Sequence, residues 1–403
     1  MPVSRNDEQL RHYPDLQGDR AAVLETLART GTPIFLCDGD NIAARYEALD
    51  RCLREHWPAH VIAYSYKTNY LVAKTKLLQD LGAWAEVVSS REYGMARDLG
   101  HSGAEIIFNG PHKPERDLCA AFTDGALVNV NDRDELDRVI RWAAAAERQV
   151  EIGIRLSCAL ERLPLSRFGF SMDHSEATDA VEKVAAATGV HLVSLHMHLY
   201  GDTDDASIYG DAADRLGRFA HTVGSRLAMP LRFLNMGGGF PAHSPKPKSR
   251  QRWDPQPIDA YIAAITQALR NHFPDDGHPT PTLVVEPGRY LVDDGVVLVT
   301  RITHVKSRDG RQVVNCDGSI SMVPLTHYRP QVIRAYTESL TERGGPEVST
   351  ILHGSTCREN DILFDGAFVR VEPGDYLVHY AAGAYNASLS ADFIFESPTM
   401  AML

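Results

Sequence analysis

The chain has 403 residues, of which 44% are hydrophobic and 23% charged, with a formal net charge of −12. That length can bury the cores of two domains, and the acidic balance argues against a nucleic acid or an anionic membrane as partner, since both select a basic surface. No apolar run approaches a membrane span, and residues 1–15 carry no apolar core of a signal peptide. The six cysteines (Cys37, Cys52, Cys119, Cys158, Cys316 and Cys357) form no C-x-x-C pair. They are expected to be reduced thiols of a cytoplasmic protein, with no disulfide frame and no metal site.

In chain order, residues 1–30 read as a polar lead-in and a helix over 20–29, closed by Gly31. From there to about residue 290, apolar runs at 33–37, 61–66, 84–88, 104–108, 126–130, 150–156, 191–196, 231–235 and 282–286 alternate with segments of helical period, such as 134–147, 175–188, 206–227 and 258–273. Nearly all-apolar strands separated by helices point to a parallel sheet covered on its outer face. About eight such units over ~250 residues predict a closed (β/α)8 barrel of the TIM type, with a doubly wound open sheet as the alternative. After Tyr290 the runs become short and β-rich, at 295–305, 312–316, 348–352, 367–371 and 375–380, separated by turns such as Arg308-Asp309-Gly310. The expected division is a barrel over 31–290 and an antiparallel β domain over 291–403, on which residues 1–30 pack. The polar stretch 242–256 reads as an exposed loop.

The chemistry centres on Tyr64-Ser65-Tyr66-Lys67-Thr68-Asn69. Lys67 ends an apolar strand, where a lowered pKa would make its amine a nucleophile toward an aldehyde; the bland alternative is a lysine capping the strand in water. In a barrel the site lies at the C-terminal strand ends. Glu86 and Glu92, Arg155, His196 and His198, Gly237-Gly238-Gly239 and Glu286-Pro287-Gly288-Arg289 all fall there. One histidine alone would be a core residue, and three glycines alone a tight turn. After a barrel strand, glycines bare N–H groups that cradle a phosphate, and Arg289 adds a charge-assisted donor. An amine, a phosphate cradle, a histidine to stack on a ring and a strand-end glutamate together describe a pyridoxal phosphate site.

From about residue 30 to 396 the chain resembles the fold-type III pyridoxal-phosphate decarboxylases, the group of diaminopimelate and ornithine decarboxylases, with alanine racemase a more distant relative. The resemblance rests on the Lys67 motif, Ile107-Phe108-Asn109-Gly110-Pro111-His112-Lys113, Ser166-Arg167-Phe168-Gly169, Gly237-Gly238-Gly239-Phe240, Glu286-Pro287-Gly288-Arg289-Tyr290, Cys357 with Asp361, and Gly383-Ala384-Tyr385, in the family's order. It implies that Lys67 forms the internal aldimine, that His198 stacks on the cofactor ring and that Glu286 pairs with the pyridine nitrogen. It further implies that Gly237, Gly238, Gly239, Gly288 and Arg289, helped by Tyr385, hold the phosphate. Glu86 and Arg155 join the expected cofactor contacts. Cys357, by the same resemblance, comes from the partner of a two-fold homodimer and protonates the carbanion left by carbon dioxide.

The departures from the pattern surround the substrate. In diamine-forming members an acidic residue follows the cysteine and binds the distal amine; here it is Arg358, with Glu359 next. Neighbours in an extended loop point in opposite directions, so the distal end of the substrate is expected to be anionic or neutral. Tyr200-Gly201 stands where the family has Gly-Ser. The segment 317–330 is longer than its counterpart, although Arg329 resembles the arginine that binds the substrate carboxylate, and Tyr385 also borders the substrate. The expected activity is decarboxylation of an amino acid in specialised biosynthesis, such as that of a siderophore. The alternatives are a diaminopimelate, lysine or ornithine decarboxylase, a racemase, which would want an arginine in place of Glu286, and a catalytically dead binding protein.

Overall fold

A computed structural model of the chain describes residues 13–14, 16, 18, 20–161, 163, 166–224, 226–227, 229–248, 253–274 and 280–403. Residues 1–12 of the expected lead-in and 249–252 of the expected loop lie outside them. Strand β1 (Ile34–Cys37) precedes helix Gly39–His56. Then come β2 (His60–Ser65), β3 (Trp84–Val87), β4 (Ile106–Phe108), β5 (Leu127–Val130), β6 (Val150–Ser157), β7 (Phe170–Ser171), β8 (Val190–Met197), β9 (Phe233–Asn235) and β10 (Thr282–Val285). All of these except β1 and the two-residue β7 run parallel in the order β5-β4-β3-β2-β10-β9-β8-β6, and β5 pairs with β6. That last pairing closes the expected barrel. Helices Ser90–Asp98 and Arg133–Ala145 begin where the Ser89 and Asp132 side chains accept the N–H of Glu92 and Glu135. Glu92, placed at the site from sequence, instead accepts the Val88 N–H at 2.7 Å and so belongs to the turn that starts its helix.

Strand alternation sorts the barrel interior into two layers. Ala63, Ile107, Leu127, Val193 and Val284, packed with Val61, Trp84 and Phe233, form an apolar plug. Two residues further along the chain from several of these stand Ser65, Glu86, Asn109, Asn129, Asn235 and Glu286, all buried. The same inner face is therefore apolar below and polar at the C-terminal rim. Gly153 makes room for this rim, because a Cβ there would lie 1.8 Å from Asn129 Oδ1.

The second sheet contains β11 (Val296–Arg308), β12 (Arg311–Cys316), β13 (Ile333–Tyr336), β14 (Glu347–His353), β15 (Ile362–Val369), β16 (Tyr376–His379) and β17 (Met400–Met402). Its main order is β13-β16-β11-β12-β14-β15, with β1 and β17 joined alongside β11. Two expectations are corrected here. Ile34–Cys37 is no barrel strand: it pairs antiparallel with Val296–Val299 and parallel with β17. Its alternate residues face two cores, Phe35 and Cys37 the large one and Ile34 and Leu36 the smaller one under helix Arg20–Thr30. Burial on both faces gives it the all-apolar look of a barrel strand. The sheet is also mixed and not purely antiparallel, because β12 pairs parallel with β14 across the long crossover from Asp317 to Pro346. Helix Arg20–Thr30 packs on this sheet through Val23 and Leu27. Among the described residues no helix is long and apolar enough to cross a membrane.

Candidate active site

Lys67 lies in a single 3-10 turn, Tyr66–Thr68, directly after β2. Its Nζ donates to Ser65 Oγ at 2.7 Å and to the Glu86 carboxylate, and Ser65 Oγ itself donates to Glu86. The Lys67 side chain is 28% exposed, opening to the barrel mouth, while Glu86 is buried. Burial pulls the amine down, but Glu86 first, and then Tyr385 and Glu286, outweigh it and raise the pKa above the ordinary lysine value. The lowered pKa expected from the apolar strand is thereby overturned: Glu86 is legible as a strand-end residue, but its pairing with Lys67 across two neighbouring strands is not. Replacing Glu86 with Gln leaves burial as the main influence. The pH midpoint for covalent capture of pyridoxal phosphate by the apoenzyme is then expected to fall, measured by stopped-flow absorbance. An unchanged midpoint would remove Glu86 from the account.

Glu286 follows β10 and is fully enclosed. Asn109 Nδ2 and Asn235 Nδ2 both donate to its Oε1, at 2.8 and 2.7 Å, and Asn109 also donates to Glu86 Oε1 at 3.0 Å. Asn129 Nδ2 donates to Asn109 Oδ1 at 2.8 Å. On the other side, Glu286 Oε2 lies 3.3 Å from His196 Nε2 and 3.6 Å from His198 Nδ1. Burial alone would raise this carboxyl, but the two imidazoles, His196 foremost, hold it well below the usual carboxylate range. His198 is lowered by burial against the pull of Glu286. Arg155 lies near both carboxylates; burial lowers it, while Glu286 and Glu86 oppose that. Its guanidinium covers the Phe168 ring at 4.7 Å.

Glu286 Oε2 and the ring nitrogens of His196 are buried without a well-aligned hydrogen bond, the 3.3 Å approach of Oε2 to His196 Nε2 being electrostatic and loosely directed. An anionic acceptor left open between imidazoles suits a ring nitrogen that arrives protonated, which is the fit a pyridine cofactor requires. The ligand atoms of His196, His198 and Glu286 also lie within 4.8 Å of one another, a spacing open to a divalent cation. The positive charges of Arg155 and Lys67 beside Glu286 weigh against one.

The glycines are where backbones must meet. A Cβ on Gly238 would lie 2.1 Å from the Glu286 carbonyl oxygen, and one on Gly288 would lie 2.0 Å from Thr68 Oγ1. Gly237 N–H donates to Asn235 Oδ1 at 2.8 Å and Gly238 N–H to His198 Nδ1 at 3.2 Å. These two amides set the Glu286–His198 geometry and are occupied within the protein, so the expectation that they stand bare for a phosphate is corrected: what the two glycines offer there is the close backbone approach that their missing side chains allow. Arg289 is tied to Asp202 (3.0 Å) and Asp293 (2.8 Å) and covers the Tyr385 ring at 5.4 Å. Tyr385 is held in the left-handed region, φ 60°, with its N–H donating to Thr68 O at 2.7 Å. Arg329, expected at the substrate, is buried and committed to Asp202 (2.6 Å) and the Pro245 carbonyl.

Cys357, Arg358 and Glu359 lie in the exposed loop between β14 and β15. Asp361 braces this loop: it is buried and accepts from Ile320 N–H (2.8 Å), Thr356 N–H (3.0 Å) and Thr356 Oγ1. Arg358 Nε donates to Asn360 Oδ1 at 3.1 Å, and its guanidinium lies 5.8 Å from the Phe393 ring centroid. No hydrogen bond or ion pair of Lys67, Glu86, His198, Glu286 or Arg289 among the described residues reaches this loop. Nothing in the sequence singled out Asn129, Asn235 and Asp202; Ser65 and Asn109 stood only within motifs, and His196 at a strand end without a role. The available signal was the polar residue two positions beyond an inward apolar one at each strand end.

A barrel whose strand ends open onto one reactive amine and one unpartnered carboxylate oxygen, with a curled sheet beside it, is the frame of a pyridoxal-phosphate-dependent enzyme. The chain belongs to the pyridoxal-dependent decarboxylases: their pyridoxal-binding domain matches residues 40–293 and their C-terminal sheet domain residues 289–383. It is 26% identical over 383 residues to the diaminopimelate decarboxylase of Aquifex aeolicus, covering 92% of this chain and 86% of that one. It is also 26% identical over 400 residues to the L-glutamyl-[BtrI acyl-carrier protein] decarboxylase of Niallia circulans, covering 94% and 90%. The fold matches the diaminopimelate decarboxylase of Helicobacter pylori complexed with L-lysine, with a TM-score of 0.82 and 22% identity over 94% of this chain and 93% of that one.

Proposed function

We propose that this decarboxylase acts on an amino acid whose distal end carries a carboxylate or a neutral conjugate and no ammonium group. The observation that carries the proposal is Arg358, an exposed cation directly after Cys357, with its Nε donating to Asn360 and its guanidinium beside the Phe393 ring. An arginine so held presents a fork to a carboxylate and repels an ammonium. The relative from Niallia circulans, whose name gives it a glutamyl group on a carrier protein, supports such a substrate; the diaminopimelate decarboxylases support the diamino alternative.

The bound cofactor supplies the electron sink for loss of carbon dioxide. Lys67 provides the amine that meets its aldehyde. Glu286 would accept the N–H of the cofactor ring, His198 would lie against that ring, and Gly237, Gly238, Gly239, Gly288, Arg289 and Tyr385 would form the phosphate end of the site. Cys357 delivers a proton to the substrate α-carbon from the second subunit of a homodimer, which accounts for its exposure in the single chain. An anionic Glu286 keeps the sink protonated, and Glu286 in the place where a racemase would want an arginine, together with Cys357 as proton donor, favours decarboxylation over racemisation. The unpaired thiols fit a cytoplasmic enzyme.

The test is carbon dioxide release and product mass across diamino, acidic and carboxylate-bearing conjugated amino acids. Acidic or conjugated substrates are expected to react, and Arg358→Glu is expected to lower kcat/KM for them about 10²-fold. Preference of the wild type for diaminopimelate, lysine or ornithine would sink the substrate assignment; α-proton exchange without carbon dioxide would sink the reaction.

A further inference from the structure

Lys74 lies in helix Val72–Asp80 and is 0% exposed. It faces no carboxylate among the described residues. Its Nζ donates to the Tyr64 hydroxyl (2.6 Å), the Asn69 carbonyl and Thr75 Oγ1 (3.3 Å), and it lies 4.1 Å from the Tyr64 ring centroid. The Tyr64 hydroxyl also donates to the Asn69 carbonyl, at 2.6 Å. Both contacts therefore converge on one backbone oxygen two residues past Lys67.

Asn69 is the junction between the two domains at the site. Its Nδ2 donates to the Gly383 carbonyl at 2.8 Å and its Oδ1 accepts the Leu71 N–H at 3.1 Å. The preceding carbonyl, that of Thr68, accepts the Tyr385 N–H at 2.7 Å and the Ser388 hydroxyl at 3.2 Å. The turn that carries Lys67 is thus stitched to the segment that carries Tyr385, and the Lys74 amine sits beneath the stitch. Burying a cation without a carboxylate partner costs stability that a methionine of similar length would not.

We propose that Lys74 is a positioning residue: through Asn69 and Tyr64 it fixes the Lys67 turn against the Tyr385 segment. The titratable groups facing it from the neighbouring strands are Cys37 of β1 and Tyr64 of β2. Burial lowers the Lys74 amine to about 7, with Cys37 opposing. The proposal rests on Lys67 carrying the cofactor.

The test compares the wild-type holoenzyme with Lys74→Met and with Tyr64→Phe, which removes the hydroxyl shared by Lys74 and Asn69. For Lys74→Met, kcat is expected to fall about 10-fold or more with KM changed little, because a small displacement of a reacting group is enough for such a loss. The same variant is expected to be at least as resistant to thermal unfolding as the wild type. The sign follows from linkage. Between a folded value near 7 and the ordinary lysine value, the unfolded chain binds more protons than the native one, so wild-type stability rises with pH through that window. The advantage of Lys74→Met is therefore largest below about pH 7 and narrows toward pH 10. Tyr64→Phe is expected to share the kcat loss. A kcat within about two-fold of wild type, or a Lys74→Met protein that melts well below wild type or fails to fold, overturns the proposal, since the first denies positioning and the second makes the lysine a structural residue. Borohydride reduction followed by peptide mass separates this from failure of the underlying reading. Absence of a pyridoxyl group on Lys67 in the wild type would refute the cofactor role; its presence, with normal kcat in Lys74→Met, refutes only the positioning role.

Discussion

A Glu286→Gln variant is expected to remain folded, to take up pyridoxal phosphate on Lys67 and to lose about 10³-fold in kcat. The surrounding amides decide which way the new side chain points. Asn109 Nδ2 and Asn235 Nδ2 both donate to Oε1, and Asn109 is itself oriented by Asn129, so only an oxygen is tolerated at that place. The glutamine NH2 must then occupy the Oε2 position between His196 and His198. There it presents donors where a protonated ring nitrogen needs an acceptor, and the negative charge that favours that proton is gone. Steady-state decarboxylation beside the bound-cofactor spectrum measures the effect. A loss smaller than about 10-fold would mean that the carboxylate does not partner the ring. Because the imidazoles keep Glu286 well below the usual carboxylate range, it stays ionised across neutral pH and contributes no acidic limb there to the wild-type rate profile.

What could be read from the sequence follows from which physical signals are local. The barrel strands were legible because a parallel strand covered on both faces is apolar throughout, and turns mark its ends. That same signal misplaced Ile34–Cys37, whose two faces are covered by different cores. Lys67, His198, Glu286 and Arg289 were legible as strand-end candidates because each ends a strand or sits in a distinctive motif. Lys67's raised pKa was not, since it depends on Glu86 one strand away. Asn129 and Asn235 lie in short runs like any other asparagine, and only the closed barrel brings them to Glu286 and Asn109. Arg329 resembles a substrate-carboxylate arginine in the sequence, and its bond to Asp202, 127 residues earlier, has no local signal. Lys74 gave no signal at all, since a lysine in an amphipathic helix reads as solvent-facing until packing puts it against Tyr64.

Two inactive variants, Lys67→Ala and Cys357→Ala, are expected to regain activity when unfolded together and refolded as a mixture. Each alone should lose at least 10²-fold in kcat, the first for want of the amine that holds the cofactor and the second for want of a positioned proton donor. Among the described residues no hydrogen bond or ion pair joins the exposed loop holding Cys357 to the Lys67 cluster of its own chain, and Asp361 braces that loop where it stands. Under the proposed mechanism, a donor braced in this way serves the site of the partner copy. In a two-fold dimer formed from both variants, one site inherits both defects and the other neither. Random pairing then leaves about a quarter of all sites intact, and the mixture should show about that share of wild-type activity. Activity near zero after verified mixing would place the thiol in its own subunit's site or remove it from the reaction, and those two cases separate on whether the Cys357→Ala protein alone is inactive.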